Sequence, residues 1–588
     1  MAPRTLYQVL EESARLYGDA PALRQPASTS DDGYLVYSWN QYKRAAEEIA
    51  AGLRALGLGK GDVVALNSET RLEFYLADLG IVTNGSVAAA MYPSYPAKDL
   101  LRTLENAGAK AVFVEDPRTY VLLKDAPVRH WILLTGWAEG VLTLENLREM
   151  GREAMARDAE LVVRQRAEVR PEDSAVLYLT SGATGEPKMA LVTHHAIVSN
   201  LDMGHLVFPM GPEDSTVAFL PSAHIAQRVV IEFLPLRCGM AVTFSESLMK
   251  LPGEIRAVRP TILLATPRMW ERIYCSICTE LRKRPAAARK AFYGGLALAL
   301  AAARYRRAGK KVPLRIRAPL ALVDQILFRK VRTRFGGRLR IPASGAAPLS
   351  RELAEFYEAI GMPITEGYGL TEGGVLAFNP FVAPKLGSIG TPLSGFEVRL
   401  APDGELLVKG PCLFSGYLND PQTTAEVLRD GWLHTGDLAY IGDDGYVCIT
   451  GRKKELIVSS TGKKVYPARL ESLFKMEPLV SHVLLIGDRL PYVVALLTLN
   501  PASAQTLKGM DQWRGPMVQA PAVQAEMRKA VARVNKQLAP FEQVRKYRIL
   551  DREFSIDSGE LTATMKVRRT QVMQNFEREI AELYAGRE

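Results

Sequence analysis

Hydrophobic and polar residues follow two alternating patterns in the first part of the chain. Apolar residues recur at helical spacing in residues 5–17, 40–56 and 72–82, and short apolar runs occupy residues 63–66, 85–91, 111–114 and 131–134. Apolar positions three or four apart form one face of a helix, whereas short apolar runs are typical of buried strands. Helices alternating with buried strands predict an α/β fold, with layered sheets and helices on both sheet faces.

The pattern changes in the second half of the chain. Short strands between Asp- and Gly-rich turns are predicted for residues 404–447, and two further strands and a helix for residues 483–486, 493–499 and 522–538. A chain of 588 residues is too long for a single core, so two or more domains are expected. We therefore predict a large N-terminal domain (1–453) that includes a β-rich subdomain, and a small α+β C-terminal domain (454–588).

Composition and cysteine usage indicate a soluble protein of a reducing compartment. Apolar residues make up 47% of the chain and charged residues 23%, and no apolar run approaches the roughly 20 residues of a membrane span. The N-terminus lacks the apolar stretch of a signal peptide. Cys275 and Cys278 form a C-x-x-C motif without a second pair, so we interpret them as buried thiols of a helix and not as zinc ligands. A cytoplasmic location is expected.

Positive charge is concentrated in one region. Residues 282–340 contain eighteen Lys or Arg and one acid, Asp324, which gives +17, so the remainder of the +10 chain carries about −7. Such a region suits peripheral contact with an anionic membrane, here the inner face, or with another polyanion. A solvated helical face is an equally good interpretation. We expect no nucleic acid partner, because no nucleic-acid-binding motif accompanies the charge.

A polar loop between two apolar runs is the first candidate for chemistry. Residues 178–188 contain two glycines, four hydroxyl side chains and Lys188, and apolar residues precede and follow them. Strand, loop and strand are predicted, and glycines allow backbone N–H groups to surround anionic oxygens. The lysine lies three residues past the second glycine and a strand follows, so this is not a Walker loop. Triphosphate binding and an ordinary hairpin turn both remain open.

Three more segments carry polar residues suited to a nucleotide. Residues 363–372 predict a glycine-rich loop in which an exposed Tyr368 suits a base and a lone carboxylate, Glu372, suits Mg²⁺ beside phosphate oxygens. The glycines miss the dinucleotide-binding spacing by one residue. Asp437 follows Gly436 and is placed to accept from ribose hydroxyls, although an ordinary turn has the same residues. From its sequence context alone, His224 is interpreted as a satisfied buried histidine.

The order of these segments resembles the adenylate-forming superfamily of acyl-CoA synthetases, peptide-synthetase adenylation domains and beetle luciferases. The matching segments, over nearly the whole chain, are the loop at 178–188, the Tyr-Gly-Leu-Thr-Glu string at 368–372, Thr-Gly-Asp at 435–437, Gly-Arg at 451–452 and a late lysine, Lys566. The basic helical insertion before Ser344 and the Leu-Pro-Ser-Ala-His string at 220–224 are most similar to long-chain fatty acyl-CoA synthetases.

The resemblance implies that a fatty acid reacts with ATP, in the presence of Mg²⁺, to give an acyl-adenylate and pyrophosphate, and that CoA then displaces AMP. It implies a site role for each matching residue. The β- and γ-phosphates would be held by Thr180, Ser181, Gly182, Thr184, Gly185 and Lys188, and the nucleotide would be bound by Gly345, Ala346, Glu366, Gly367, Tyr368 and Gly369. Asp437 and Arg452 would bind the ribose, Thr371 the α-phosphate and Glu372 the Mg²⁺ ion. His224 and Lys566 would contact the fatty carboxylate. Lys454 matches the hinge about which a mobile C-terminal domain rotates.

Two positions depart from the usual motif, and two other functions remain open. Ala183 replaces a threonine, which removes a contact typically worth about 1 kcal/mol, and Met189 replaces a glycine. A fatty acyl-AMP ligase that serves a carrier protein and a non-catalytic acyl or nucleotide sensor are the alternatives. The preferred chain length is undetermined at this point, and both a monomer and a homodimer are compatible with the sequence.

Overall fold

The computed structural model describes residues 3–28, 33–181, 187–381, 384–562 and 565–585. Its first part alternates helices with strands. The helices are α1 (Leu6–Tyr17), α2 (Trp39–Ala55), α3 (Leu72–Thr83), α4 (Ala97–Asn106), α5 (Pro117–Leu123), α6 (Leu144–Arg157) and α7 (Leu161–Glu168). The strands are β1 (Pro21–Pro26), β2 (Tyr34–Ser38), β3 (Val63–Asn67), β4 (Val87–Met91), β5 (Ala111–Val114), β6 (His130–Leu133), β7 (Leu142–Thr143), β8 (Ser174–Ser181) and β9 (Pro187–Thr193).

The middle part contains most of the remaining helices. They are α8 (His194–Val207), α9 (Ile225–Gln227), α10 (Leu234–Cys238), α11 (Leu251–Val258), α12 (Pro267–Arg282), α13 (Ala286–Arg307), α14 (Leu314–Val323), α15 (Arg329–Arg332) and α16 (Arg351–Ala359). The strands are β10 (Ser215–Ala218), β11 (Ala241–Phe244), β12 (Ile262–Ala265), β13 (Ile341–Ser344), β14 (Thr365–Leu370) and β15 (Gly374–Phe378). Two π-helical segments, Arg228–Phe233 and Asp324–Phe328, and a 3₁₀ turn, Thr333–Phe335, connect helices.

A β-rich stretch follows and leads into the C-terminal part. The stretch contains β16 (Thr391–Pro392), β17 (Glu397–Leu400), β18 (Glu405–Lys409), β19 (Gly416–Tyr417), α17 (Pro421–Val427), β20 (Leu428–Arg429), β21 (Trp432–Ile441) and β22 (Val447–Arg452). After the 3₁₀ turn Lys453–Glu455 come β23 (Ile457–Val458), β24 (Lys464–Val465), α18 (Pro467–Lys475), β25 (Val480–Ile486), β26 (Val493–Leu499), α19 (Pro501–Ala504), α20 (Pro521–Asn535), β27 (Val544–Leu550), α21 (Arg569–Asn575) and α22 (Glu577–Tyr584), with a 3₁₀ turn at Met517–Gln519.

Four sheets, of eight, five, five and four strands, form the N-terminal part. An eight-stranded sheet has the order β19-β9-β8-β4-β3-β5-β6-β7, parallel from β8 to β7, with β9 and β19 added antiparallel. The other sheets have the orders β10-β11-β1-β2, β12-β13-β14-β15-β16 and β17-β18-β21-β20, with β22 beside β21. Strands β8 and β9 pair antiparallel, up to Ser181 and Pro187 on either side of residues 182–186, so the two strands predicted beside the polar segment are confirmed.

The C-terminal part has a core of its own. The sheet β25-β26-β27 buries both faces, because alternate residues such as Leu484 and Leu485 enter different hydrophobic clusters. Buried residues of these two clusters all come from residues 457–583. The structure thus has a large α/β lobe with a β-rich subdomain and a small α+β lobe, which confirms the predicted fold class.

The small lobe docks on the large lobe through α12. The guanidinium of Arg268 donates to the Ser481 hydroxyl at 3.0 Å, and the hydroxyls of Thr279 and Ser503 lie 3.3 Å apart. Arg282 of the same helix lies 3.8 Å from Glu526, and Met476 packs against the apolar residues of the large lobe, so the contact combines polar and apolar groups. Cys275 and Cys278 lie in the same helix and are buried free thiols, as predicted.

One local prediction is wrong. Tyr368 was expected to be exposed on a loop, but it lies in strand β14 and is half-buried. The glycines on either side explain the difference. A Cβ at Gly369 would lie 2.4 Å from the Gly374 carbonyl oxygen, and a Cβ at Gly367 would lie 2.7 Å from the Phe378 ring. The two glycines therefore permit close pairing of β14 with β15, and a string that was interpreted as a loop becomes a hairpin.

Candidate active site

A tight hairpin of the small lobe enters the crevice between the lobes and carries Lys566. Leu561 and Val567 form a β-bridge, the Thr562 N–H donates to the Lys566 carbonyl at 2.8 Å, and Met565 has a φ of 63°. The next cation, Arg568, hydrogen-bonds Tyr95 of the large lobe. The hairpin is thus held from both sides, with Lys566 between the lobes.

The Lys566 ammonium lies among the charged groups of the large lobe. Burial and the neighbouring guanidinium of Arg452 lower the pKa of Lys566 to about 8, against the opposing effect of Asp437 and Glu455. The side chain of Lys566 is nevertheless exposed to solvent. An ammonium with a lowered pKa that solutes can reach is poised to gain a negatively charged partner.

Asp437, in the middle of β21, forms a pair with Arg452, the last residue of β22. They are directly opposite in the β21–β22 register, and Arg452 Nε lies 2.9 Å from Asp437 Oδ1. The hydroxyl of Tyr368 donates to the other carboxylate oxygen at 2.5 Å. Burial raises the pKa of Asp437, and Arg452 opposes that rise. Three residues predicted to contact a nucleoside are therefore in one cluster.

A second cluster joins the polar loop to Glu372. The Tyr417 hydroxyl donates to Glu372 Oε1 at 2.6 Å, and the Lys188 ammonium lies 5.1 Å from the centre of the same tyrosine ring. Glu372 is half-buried and follows Thr371 in the turn between β14 and β15. Tyr417 thus links a predicted phosphate-binding lysine to the predicted metal-binding carboxylate.

Part of the predicted phosphate loop lies outside the described residues. Gly182, Ala183, Thr184 and Gly185 belong to that segment, as does the side chain of Ser181. Thr180 pairs with Lys188 in the β8–β9 register, so both flank the loop. Met189, where the motif has glycine, is a half-buried strand residue packed against the main core.

An apolar cavity reaches from these clusters into the large lobe. Its wall is formed by residues of α8, the α9–α10 segment, β12 to β15 and the loop after β13. Gly345, Ala346, Gly367, Tyr368 and Gly369 line the end that is nearest the nucleoside cluster. Ala346 has a φ of 69°, which is uncommon for a residue with a side chain and is often found at functional sites.

His224 lies where the cavity meets the crevice. It lines the cavity, and its Nδ1 accepts the Ala226 N–H at 3.1 Å, so we assign the proton of the neutral ring to Nε2. Burial, assisted by Lys566, lowers the pKa of His224 to about 3. A neutral imidazole is therefore maintained, with its Nε2–H available as a donor to an anionic group.

Two predicted residues lie beside the clusters and not in them. The Glu366 carboxyl is buried against the Leu349 backbone N–H at 3.3 Å, and burial raises its pKa to about 8. Lys454 is exposed in the 3₁₀ turn between the lobes, next to Lys453, which pairs with Glu405 at 3.1 Å. Glu366 thus orders the loop behind the cavity, and Lys454 is located where the chain passes from one lobe to the other.

Sequence analysis missed Tyr417, Tyr95 and the wall of the cavity. Tyr417 is 45 positions from Glu372, and no local pattern indicates their contact. Wall residues such as Val229 and Leu264 have the apolar character of ordinary core residues, so spacing alone does not distinguish them.

Comparison with known proteins agrees with this arrangement. The profile described as AMP-binding enzyme matches residues 10–418, and the profile described as AMP-binding enzyme C-terminal domain matches residues 454–588. The long-chain-fatty-acid–CoA ligase FadD15 of Mycobacterium tuberculosis is 34% identical over 580 residues, which cover 94% of this chain and 95% of that protein. The long-chain-fatty-acid–CoA ligase ACSBG2 of Rattus norvegicus is 27% identical, with 99% of this chain and 93% of that protein covered.

Solved structures show the same fold. The adenylation domain of a carboxylate reductase from Mycobacterium chelonae superposes with a TM-score of 0.77 at 22% identity, over 100% of this chain and 92% of that one. Because the first profile covers more than half of the chain and FadD15 aligns with nearly all of it, the relationship extends over both lobes. The chain therefore belongs to the AMP-binding enzyme family, and among adenylate-forming enzymes it resembles the long-chain fatty acyl-CoA synthetases.

Proposed function

We propose that the protein is an AMP-forming long-chain fatty acid–CoA ligase. The observation that carries this proposal is the position of Lys566: a lysine of the small lobe faces the His224 end of an apolar cavity and the Asp437–Arg452 pair of the large lobe. Three features suit the activation of a fatty acid. They are a cavity for the apolar chain, a neutral hydrogen-bond donor at the mouth of that cavity, and a mobile cation beside the nucleoside cluster. The similarity to FadD15 supports the same assignment.

In the first step a fatty carboxylate oxygen attacks the α-phosphorus of ATP, and pyrophosphate leaves. Both reactants are anions, so the transition state needs cations and N–H donors placed in advance. His224 Nε2–H orients the carboxylate, Lys566 lies between carboxylate and α-phosphate, and Thr371 contacts the α-phosphate. Burial keeps His224 neutral, so it orients the carboxylate by hydrogen bonding and leaves the positive charge to Lys566.

The nucleotide is held by the two polar clusters. Asp437 and Arg452 receive the ribose hydroxyls, with one hydroxyl taking the place that Tyr368 has on Asp437, and the Tyr368 ring flanks the adenine. Gly345, Ala346, Gly367 and Gly369 shape the wall at this end. Thr180, Ser181, Gly182, Thr184, Gly185 and Lys188 hold the β- and γ-phosphates.

Glu372 fits a magnesium ion that is shared with the triphosphate. Its Oε1 accepts from Tyr417, and among the described residues no donor is paired with Oε2. No group of three or more His, Cys, Asp or Glu side chains in the described ranges has the arrangement of a metal site, so phosphate oxygens and water would complete the coordination. When bound, Mg²⁺ offsets the charge of the triphosphate.

In the second step the sulfur of CoA attacks the acyl carbonyl, and AMP leaves. Lys566 is not needed there, and we propose that the small lobe (454–588) rotates about Lys454 to present another face to the large lobe (1–453). The polar contacts of α12 with Ser481 and Ser503 are compatible with such a movement.

Pyrophosphate release from ATP and palmitate, measured with and without CoA, tests the proposed function. A CoA ligase turns over continuously only when CoA is present. Release that stops after one equivalent in both conditions would instead indicate an acyl-AMP ligase, and no release would indicate a sensor.

Replacement of Lys566 is expected to separate the two half-reactions. Lys566→Ala should slow acyl-adenylate formation by about 10²-fold or more, as loss of one preorganised charge-stabilising donor does. Supplied acyl-adenylate should be converted to acyl-CoA at the wild-type rate. An unchanged rate of acyl-adenylate formation would show that Lys566 has no role in the mechanism. Loss of acyl-CoA formation from supplied acyl-adenylate would show that Lys566 does not act in the first step alone.

The same lysine predicts a pH dependence. With a pKa of about 8 in the free protein, Lys566 loses its proton as the pH rises through 8, so kcat/KM for adenylation should fall there. Lys566→Arg, which keeps its charge, should move the alkaline limb to higher pH. A limb at the same pH in both proteins would assign the titration to another group.

Glu372→Gln should raise the Mg²⁺ concentration needed for half-maximal adenylation and lower the rate by about 10²-fold, because the metal loses its protein carboxylate. Tyr417→Phe is the matched control, since it removes the hydrogen bond of that carboxylate and leaves its charge. Equal Mg²⁺ dependence of Glu372→Gln and the wild type would contradict the metal assignment.

Lys454→Pro should spare adenylation and impair thioester formation, because proline fixes φ near −65° in a turn that must change its dihedral angles. Lys454→Ala retains backbone freedom and should leave both steps intact. Equal loss of both steps in Lys454→Pro, with the alanine control active, would place the hinge elsewhere.

We further propose that residues 282–340 attach the protein to an anionic membrane. Helix α14 has no buried residue, and it exposes 68% of Leu314 and 60% of Leu322 beside Arg315 and Arg317. Among the described residues no helix is long and apolar enough to cross a membrane. A basic surface helix with exposed leucines suits the interfacial region of a bilayer.

The structure also reduces the charge that is available for this contact. Five of the eighteen cations form ion pairs with protein carboxylates, namely Arg282, Arg307, Arg332, Arg334 and Arg340. The other thirteen form no ion pair with a described carboxylate. A large surplus of positive charge therefore remains on this surface.

Vesicle co-sedimentation tests the membrane proposal. Anionic vesicles should bind the protein, neutral vesicles should not, and salt should weaken binding because the screening length falls to a few Å. Arg315→Glu with Arg317→Glu should reduce binding strongly. Arg429→Glu with Arg489→Glu changes the net charge equally at exposed arginines outside residues 282–340 and should reduce it little. Equal binding to both vesicle types would overturn the proposal.

A further inference from the structure

The apolar cavity described above is called the acyl cavity here. A second apolar depression, at the surface, shares one lining residue with it. Phe378 lines both, and the residues on either side of Phe208, namely Val207 and Pro209, line the second while Phe208 itself lines the first. We call the second depression the outer groove. Its lining is Leu206, Val207, Pro209, Phe378, Pro380, Phe381, Thr391, Pro392 and Leu393. Two aromatic rings therefore form the partition between an internal cavity and the surface.

The partition is a pair of rings in edge-to-face contact. The ring centroids of Phe208 and Phe378 are 4.2 Å apart, with an interplanar angle of 63°, and both residues are buried. Phe208 is the C-cap of α8, and Phe378 is the last residue of β15. The contact thus joins the ends of two elements and has no covalent or charged component.

Phe378 is fixed in place by its surroundings. Its ring rests on Gly367, where a Cβ would lie 2.7 Å away, and its carbonyl oxygen faces Gly390, where a Cβ would lie 2.0 Å away. Phe208 ends α8 with an extended backbone (φ −98°, ψ 112°) that is held by hydrogen bonds from its N–H to Gly204 and from the Met210 N–H to its carbonyl, and it borders the open space of the cavity, so only its side chain has room to move. If one ring turns aside, it is that of Phe208.

The outer groove has the chemistry of a site for hydrocarbon. Its lining contains no charged side chain, and its one polar residue is Thr391. Leu206 at its rim is 72% exposed, so the groove is open to solvent. Methylene groups that enter it leave water for an apolar wall, which is favourable for each group added. Since Phe378 lines both the groove and the acyl cavity, and the Phe208 ring packs against it, the occupant that suits the groove is the methyl end of a long acyl chain.

We propose that the Phe208–Phe378 pair is a chain-length gate: acids that fill the inner cavity leave it closed, and longer acids displace the Phe208 ring and place their ends in the outer groove. The inference rests on the proposed function and deepens it, because it assigns the residues that set the chain length. Phe208 is then a specificity-determining residue, and Phe378 is its fixed partner.

Turnover of octanoate, palmitate and lignocerate by gate variants tests this inference. Phe208→Ala should raise kcat/KM for lignocerate relative to octanoate by about tenfold, since a pocket contact of methylene size changes discrimination by this order. Phe208→Trp should shift the ratio in the opposite direction. Phe208→Leu loses less buried volume, so it should give an intermediate shift and keep the test valid if the alanine variant folds poorly.

A charge placed at the rim of the outer groove distinguishes two explanations for a preference for longer acids. The chain end either enters the outer groove or occupies an inner cavity that the Phe208 substitution has enlarged. Leu206→Asp should lower lignocerate turnover in the Phe208→Ala protein, because a carboxylate beside the hydrocarbon loses hydration. Leu16→Asp makes the same change at another exposed helical leucine, 60% exposed, and should have no such effect. A long acid with a photoreactive methyl end should label residues 206–209 and 391–393 in the wild type.

The outcomes separate this inference from the proposed function. A wild type that activates palmitate, together with an unchanged length ratio in all three Phe208 variants, would overturn the gate and leave the ligase assignment intact. A wild type that activates none of the three acids would overturn both. Labelling confined to the inner cavity, or an equal effect of Leu206→Asp and Leu16→Asp, would refute the outer groove as the site of the chain end.

Discussion

The buried ion pair of Asp78 and Arg228 holds together the parts of the large lobe that form the site. Arg228 Nε donates to Asp78 Oδ2 at 2.8 Å, and both side chains are fully buried. Arg228 begins the π-helical segment whose other face, at Val229 and Val230, lines the acyl cavity. Its guanidinium also lies 5.4 Å from the centre of the Tyr178 ring in β8, the strand that enters the phosphate loop.

A pair of this kind constrains the structure more than it stabilises it. Removing two charges from water costs several kcal/mol each, and their attraction offsets this only with good geometry. A third charge would be unfavourable, and burial together with Asp78 raises the pKa of Glu232 well above its usual value, so Glu232 is kept neutral. The cavity wall and strand β8 therefore both contact the buried Asp78–Arg228 pair.

Electrostatics divides the chemistry between the lobes. The large lobe supplies neutral or already paired groups, namely His224 and the Asp437–Arg452 pair. The cation that we propose for the reacting anions, Lys566, comes from the small lobe and is carried on a hairpin whose Arg568 hydrogen-bonds Tyr95. A site completed by a movable charge can be active in one orientation and open to a second substrate in another.

The sequence by itself determined the fold class, because periodicity and short motifs are local. The helices of residues 6–17 and 39–55 and the strands β8 and β9 follow from residues close together in the chain. It did not determine that Tyr368 lies in a strand, since this depends on the contact of Gly369 with the Gly374 backbone.

Only the tertiary structure decided which residues meet across the chain. The Tyr417–Glu372 contact joins positions 45 apart, and the Phe208–Phe378 partition joins α8 to β15. Residues of the cavity wall have the same apolar character as those of the core, and whether such a residue faces a cavity or its neighbours depends on packing. That packing is set by the whole lobe, and for this reason the proposed chain-length gate and the place of Lys566 could not be derived from the order of residues.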